Sequence, residues 1–172
     1  MPLPMLILGG VPIVLHAGAP DLSSEPLSGK ARVRMGNGDA VQMTHWSGKR
    51  SGTIVGSGWM PPGLDGLDYS QPLELLSVQQ ETITGTANAV ALSSEPRADH
   101  APWALALVGR EWLETPCVVA AGVATATPIP GATLYSISWF PKITVFAELS
   151  SKGVSRGNSA TPHSWSVTFE EV

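Results

Sequence analysis

The chain has little charge for its size. Lys, Arg, Asp and Glu make up 14% of its 172 residues, whereas soluble domains average roughly 25%. The formal net charge is −4, so the basic footprint of a nucleic-acid-binding protein is absent. Because interface cores are depleted of charged residues, we expect other protein to cover part of the surface. The alternative is a monomer with a polar face rich in Ser and Thr.

Cysteine and long apolar runs are also scarce. Cys117 is the only cysteine, which excludes an intrachain disulfide, and the adjacent Val118 and Val119 favour a buried, unreactive thiol. Residues 1–18 lack a positively charged start, and three prolines and the Gly9–Gly10 pair interrupt them. Their apolar runs fall short of the about 20 residues needed to span a bilayer. We therefore expect a soluble, non-exported protein whose N-terminus forms two short strands around Gly9–Gly10.

Patterns that carry catalysis or bind metals are missing. No nucleophile motif of the G-x-S-x-G type occurs, and a solvated polar loop explains Arg97, Asp99 and His100 better than a catalytic pair does. Asp65 and Asp68 lack the spacing of a calcium loop. They lie in a turn-forming stretch, where an aspartate carboxylate can accept hydrogen bonds from the backbone and cap a turn. The four histidines lack the spacing of a zinc site, and they are His16, His45, His100 and His163. We predict no enzymatic activity, no bound metal and no cofactor.

Glycine and proline are abundant instead, with 18 and 15 residues. Such a composition favours short strands joined by tight turns over long helices. The stretch from Leu73 to Thr84 is compatible with helix, but its β-branched residues favour strand. We predict an all-β fold, a β-sandwich or partly open β-barrel of about ten short strands with long Gly/Pro-rich loops and little or no helix.

The clearest local signal is a β-hairpin. The stretch Ala31–Met35 alternates apolar and basic residues, a Gly-Asn-Gly-Asp turn follows, and Ala40–Thr44 resumes the alternation. This pattern predicts two antiparallel strands with Arg32 and Arg34 on the face opposite Val33 and Met35. The terminal stretch Trp165–Val172 alternates in the same way and predicts a closing strand with Trp165, Val167 and Phe169 on one face.

The stretches between these strands read as connectors. We expect one β-rich domain over residues 1–172, with an N-terminal strand or arm and connector over residues 1–29. A short basic loop over Gly48–Gly52, a polar loop over Ser93–Pro102 and a flexible loop over residues 150–163 complete the organisation.

The segment Gly56–Pro72, called here the Trp–Pro–Gly loop, combines many turn formers with large apolar residues. Flexible linkers lack such anchors because they have no interior in which to place them. We expect a rigid loop in which Trp59 points inward, while the residues from Leu64 to Tyr69 face a neighbouring chain.

Several of these stretches together resemble a known class of proteins. The hairpin RVRMGNGDAVQMTHW, the following KRSGTIVGSGWMPPGLDGLDYSQPLEL, and the late YSISWFPKITVFAE and WSVTFEEV resemble small tail-tip or baseplate proteins of bacteriophages with long non-contractile tails. The resemblance runs from about Gly29 to the end of the chain. At 172 residues the chain is short for a distal tail protein with an added carbohydrate-binding domain, so the resemblance implies the ring-forming domain alone.

The resemblance implies a structural subunit of the virion tail, assembled in the host cytoplasm. Its partners would be copies of itself in a ring, commonly hexameric, and other tail proteins, with DNA passing only transiently through the channel and no membrane insertion. Alternatives are a tail-tube or tail-terminator subunit, or a host-surface carbohydrate-binding β-module whose tryptophans stack on sugar. The candidate subunit-contact residues are Arg32, Arg34, Lys49, Arg50, Trp59, Met60, Leu64, Leu67 and Tyr69.

Overall fold

The computed structural model describes residues 4–172. Within them lie fifteen strands and two 3-10 turns of three residues each, Leu15–Ala17 and Leu64–Gly66. All pairings between strands with a defined register are antiparallel. The all-β prediction is confirmed, although three strands of fourteen to nineteen residues replace several of the short ones expected. In the described part of the chain, no helix has the length and apolar character required to cross a membrane.

The chain divides into two compact units. The first contains residues up to Pro12 and Glu74–Ile143, and the second contains Ile13–Leu73 and Thr144–Val172. Two of the three points at which the chain passes from one unit to the other fall inside strands. The expectation of a single domain over 1–172 stays a prediction, and its first three residues lie outside the described part.

The first unit contains eleven short strands. They are β1 (Ile7–Leu8), β2 (Val11–Pro12), β5 (Leu73–Leu76, whose first residue belongs to the second unit), β6 (Glu81–Gly85), β7 (Ala89–Ala91), β8 (Glu95–Pro96), β9 (Trp103–Val108), β10 (Glu111–Thr115), β11 (Cys117–Ala120), β12 (Val123–Ala126) and β13 (Ala132–Trp139). The predicted N-terminal hairpin is confirmed, because β1 pairs with β2 across Gly9 and Gly10, whose φ angles are 56° and 81°. Positive φ at both turn positions is the geometry that glycine permits.

Two sheets of this unit face each other across a small apolar core. One sheet has the order β10-β9-β13-β6 and the other β11-β12-β7. Between them pack alanines of β9 and β12 with Tyr135, Ile137 and Trp139 of β13. Alanine leaves room for the fully buried Trp139, whose indole N–H donates to Ser94 Oγ at 3.0 Å. The result is the sandwich-like packing that the sequence predicts.

The polar loop predicted over Ser93–Pro102 contains a buried arginine. Arg97 is 2% exposed and donates from Nη1 to the carbonyl oxygens of Met5, Leu76 and Ser77 at 2.8, 3.2 and 3.0 Å. Its guanidinium also forms a two-bond pair with the Asp99 carboxylate, at 2.9 and 2.7 Å. The expectation that the whole loop is solvated is therefore wrong at Arg97, because buried carbonyls require donors and a guanidinium supplies five.

Arg97→Met should destabilise the protein by about 3 kcal/mol, since the three carbonyls would lose their donor inside the unit. Arg110→Met is the matched control, because Arg110 is exposed and such surface substitutions usually change stability by less than about 0.5 kcal/mol. Chemical denaturation of both variants measures the difference, and equal losses would contradict the structural role of Arg97.

The pair of Arg97 and Asp99 predicts a pH dependence. The hydrogen bond from Arg97 holds the pKa of Asp99 below its usual value. A depressed pKa in the folded state stabilises the protein above the unfolded pKa of about 3.9, and this stabilisation is lost as the pH falls through the folded value. The acid-side loss of thermal stability should therefore be smaller in Asp99→Asn than in the unmodified protein.

The second unit is built on four strands in the order β14-β15-β4-β3. They are β3 (Asp21–Arg34), β4 (Ala40–Gly58), β14 (Pro141–Val154, which begins in the first unit) and β15 (His163–Glu171). Three predicted loops are thus wrong in part. Residues 21–29 and Gly48–Gly52 belong to β3 and β4, and Ser150–Val154 continues β14. In each case a partner strand supplies backbone hydrogen bonds to a sequence with weak β-propensity.

The predicted closing strand is confirmed and packs onto glycines. Trp165, Val167 and Phe169 of β15 are buried on one face. The Trp165 indole lies where a Cβ on Gly56 would approach it to 2.4 Å, and its N–H donates to the Ala17 carbonyl at 2.8 Å. The Trp165 ring therefore packs directly on the backbone of Gly56, where a side chain would leave no room for it.

Gly56→Ala should destabilise the protein by about 1–3 kcal/mol, the usual cost of overpacking, because the Trp165 ring would have to move. Gly85→Ala is the matched control, since it also changes a strand glycine but has no atom within 4 Å of the added Cβ. Thermal and denaturant unfolding compare the two, and an unchanged midpoint for Gly56→Ala would contradict the packing described.

Candidate interaction surface

A hairpin arm is the most exposed element of the second unit. Strand β15 pairs with β4 only from Ser51 to Gly58, whereas β3 pairs with β4 as far as Ala40. The outer part of the hairpin, residues 29–48 and named here the hairpin arm, is therefore a two-stranded ribbon. Every residue from Arg32 to Lys49 is exposed. At roughly 3.3 Å per residue, the nine residues from Ala40 to Gly48 extend about 30 Å.

The turn of the arm is held by local hydrogen bonds. Met35 N–H donates to the Asp39 carbonyl at 2.8 Å, and Gly38, with φ of 90°, donates to the Met35 carbonyl at 2.9 Å. Asn37 Nδ2 donates to the Asp39 carboxylate at 2.7 Å, and the Asp39 N–H donates to Asn37 Oδ1 at 3.2 Å. The predicted hairpin and its turn chemistry are confirmed.

The strand register gives the arm two distinct faces. The apolar face consists of the cross-strand pairs Ala31–Met43 and Val33–Val41, and the basic face of Lys30–Thr44, Arg32–Gln42 and Arg34–Ala40. On the apolar face, 52% of Val33 and 50% of Met43 is exposed. On the basic face, Arg32 donates to Gln42 Oε1 at 2.8 Å and Arg34 to the Gly38 carbonyl at 3.2 Å. The predicted separation of apolar and basic residues is therefore present, and both faces meet solvent.

The two other basic candidates lie at the base of the arm. Lys49 donates to the Val172 carbonyl, and Arg50 forms an ion pair with Glu171 at 3.3 Å. Both side chains thus contact the end of β15 within the same chain. Arg32 and Arg34, in contrast, have partners only within the arm itself.

The Trp–Pro–Gly loop is ordered, but its anchor differs from the one predicted. Trp59 is 58% exposed and contacts the ring of His16 with centroids 5.4 Å apart, whereas Leu64 is 1% exposed. Trp59 is therefore not the inward anchor, and Leu64 does not face outward. Trp165, and not Trp59, is buried in this unit. A buried indole needs a hydrogen-bond partner for its N–H.

Local hydrogen bonds shape the remainder of the loop. Tyr69 Oη donates to the Leu64 carbonyl at 2.8 Å, and partial burial raises the pKa of the Tyr69 phenol. Ser70 donates from both Oγ and N–H to Asp68 Oδ1, which lowers the pKa of Asp68 and confirms its predicted capping role. Asp65 instead pairs with Lys152 at 2.6 Å. Met60 and Leu67, the two further contact candidates, are half-buried.

The groups considered for chemistry are dispersed. Across residues 4–172, no group of three or more His, Cys, Asp or Glu side chains is placed to hold a metal ion. Cys117 packs against the core of the first unit, and burial raises the pKa of its thiol. His100 contacts Phe140 and Trp103 with ring centroids 4.9 and 5.5 Å apart. The absence of catalysis and of cofactors stays a prediction.

Comparison with protein-family models, with curated proteins and with solved structures finds no match. The phage-tail interpretation and the contact roles of the nine candidate residues therefore remain predictions from the sequence.

The candidate residues fall into two separate patches. Arg32 and Arg34 lie on the hairpin arm, at the N-terminal end of β4, whereas Trp59 follows the C-terminal end of β4. At 3.3 Å per residue, Trp59 is about 30 Å from Lys49 at the base of the arm. The arm also exposes apolar residues that were not predicted as contacts, notably Val41, Met43 and Trp46. Their alternation was visible, but it indicates a buried face just as well as a free one.

Leu64→Ala should destabilise the protein by about 2–5 kcal/mol, as expected for a fully buried leucine, and Trp59→Ala by less than about 1 kcal/mol because most of its ring already meets solvent. Denaturant unfolding of the two variants provides the comparison. A larger loss of stability for Trp59→Ala than for Leu64→Ala would support the original expectation that Trp59 anchors the loop in the interior.

Proposed function

We propose that this chain is a non-enzymatic structural subunit that assembles with copies of itself, as a ring component at the distal end of a bacteriophage tail. The observation that carries the proposal is the hairpin arm, whose apolar face stands in solvent with about half of Val33, Val41 and Met43 exposed. Contiguous exposed apolar surface on a soluble protein is characteristic of interaction sites.

The stability of the arm supports the same proposal. A two-stranded hairpin is marginally stable in water without a further strand or a packed face. From Ala40 to Arg50, β4 has no strand neighbour except β3 among the described residues. A neighbouring subunit that covers the apolar face would both bury this surface and order the ribbon. Assembly therefore gives the arm the packing that its own chain does not supply.

A ring also suits the composition and the sequence resemblance. Heterologous contacts, in which one patch meets a different patch on the next subunit, close into rings, and neighbours then cover edge strands that would otherwise aggregate. The low charge content fits a surface partly covered by protein. The resemblance to tail-tip proteins favours the distal ring over the tail tube or terminator, the alternative positions around the same DNA channel.

One observation favours a second candidate, a host-surface carbohydrate-binding module. Trp59 is 58% exposed beside His16, and an exposed indole provides a flat apolar platform on which a sugar ring can stack. In this case Trp59→Ala would abolish binding on a glycan array while the protein remained folded and monomeric.

Val41→Asp should weaken self-assembly at least about tenfold, which corresponds to loss of roughly 1.4 kcal/mol of contact energy, because it places a charge in the apolar face of the arm. Val154→Asp is the matched control, since Val154 is 68% exposed but lies outside the arm. Mass photometry and negative-stain microscopy measure the assemblies, and circular dichroism confirms the fold. An unmodified protein that stays monomeric and fails to join tail particles would overturn the proposal.

A further inference from the structure

We propose that the basic face of the hairpin arm of one copy docks on an acidic sheet face of a second copy of this chain. The inference rests on the proposed self-assembly and names the two surfaces that meet. It is carried by the distribution of charge over the second unit and by the strand register that places those charges.

The arm and the remainder of the chain differ in the sign of their charge. Residues 29–48 contain three cations and a single carboxylate, Asp39, whereas all other residues together contain seven cations and thirteen carboxylates. Lys30, Arg32 and Arg34 alternate along β3 and share one exposed face. At about 3.3 Å per residue these three cations form a row roughly 13 Å long.

The solvent face of the four strands β14, β15, β4 and β3 has the opposite character. The register sets Phe146, Glu170, Ser51 and Glu25 in one row across β14, β15, β4 and β3, and Glu148 starts the adjacent row. Glu25 and Glu170 are separated by one strand, which corresponds to about 10 Å. The two carboxylates of this row therefore span a distance similar to the length of the row of cations.

These carboxylates have no cation of their own. Within residues 4–172, Glu25, Glu148 and Glu170 form no ion pair, and all three are exposed. The positions of this face that belong to the second unit are otherwise mainly Ser and Thr. Lys49 also lies on this face, two residues from Ser51, and donates to the Val172 carbonyl. Like charges on one face destabilise it, and a basic partner would relieve that repulsion.

A second copy is the occupant that these surfaces favour. The arm continues the same β3–β4 pair that forms half of the acidic sheet, so it projects from the sheet and does not fold back over its own face. Each copy then offers one basic arm and one acidic face, which makes the contact heterologous and able to propagate around a ring. Complementary charge of this kind selects the partner and its register.

Charge reversal tests the inference. Arg32→Glu with Arg34→Glu reverses the arm, and Glu148→Lys with Glu170→Lys reverses the face. Each double variant alone should associate at least about tenfold more weakly at roughly 0.1 M salt. An equimolar mixture of the two should regain assembly, because every arm then meets a face of opposite charge, and all four substitutions in one chain should regain it as well.

Matched controls separate docking from general charge effects. Glu111→Lys with Glu114→Lys changes the net charge by the same amount as the reversal of the face, at exposed positions of the first unit, and should leave assembly unchanged. Circular dichroism of each variant verifies the fold, and the mixture and the fourfold variant guard against a misfolded double variant.

The outcomes distinguish this inference from the proposed function. Monomeric unmodified protein would overturn both. Assembly that persists in both double variants, or that neither the mixture nor the fourfold variant restores, would overturn the docking alone. If the arm reversal leaves assembly intact but abolishes binding of a DNA duplex, the basic face contacts phosphate and the docking is again overturned.

Discussion

Backbone pairing along β4 is the constraint on which the second unit depends. This strand has nineteen residues, whereas β15 has nine and covers only its C-terminal half. The covered half carries Ile54 and the glycines that receive Trp165 and Phe169. The uncovered half has β3 as its single neighbour in the described chain and becomes the arm. A mismatch in strand length thus divides one hairpin into a core element and a projecting ribbon.

The same pairing organises the charges. Because cross-strand neighbours share a face, the register sets Lys30, Arg32 and Arg34 together on the arm and places Glu25 in the same row as Glu170. The low overall charge of the chain therefore conceals two regions of opposite sign. In the first unit, charge has a different role, since Arg97 is buried and satisfies carbonyls inside the fold.

Much of the fold could be predicted where the signal was local. The hairpin around Gly36–Asp39 and the closing strand both combine strict alternation with clear boundaries, and both are present as predicted. The connector was misjudged over residues 21–29 because Ser, Pro and Gly have low β-propensity, and pairing with β4 overrides that preference. Arg97 lies in a polar stretch and was expected to be solvated, because the sequence does not show that carbonyls distant in the chain converge on it.

The sequence alone determined the β class, the hairpin with its two-sided chemistry, and the scarcity of charge. These properties follow from alternation and composition, which need no knowledge of distant neighbours. Only the tertiary structure decided that Leu64 is buried and Trp59 exposed, that the arm stands free, and that three glutamates from three strands share one face. An alternating pattern defines the two faces of a strand, but contacts with segments far away in the chain determine which face is covered and where that cover ends.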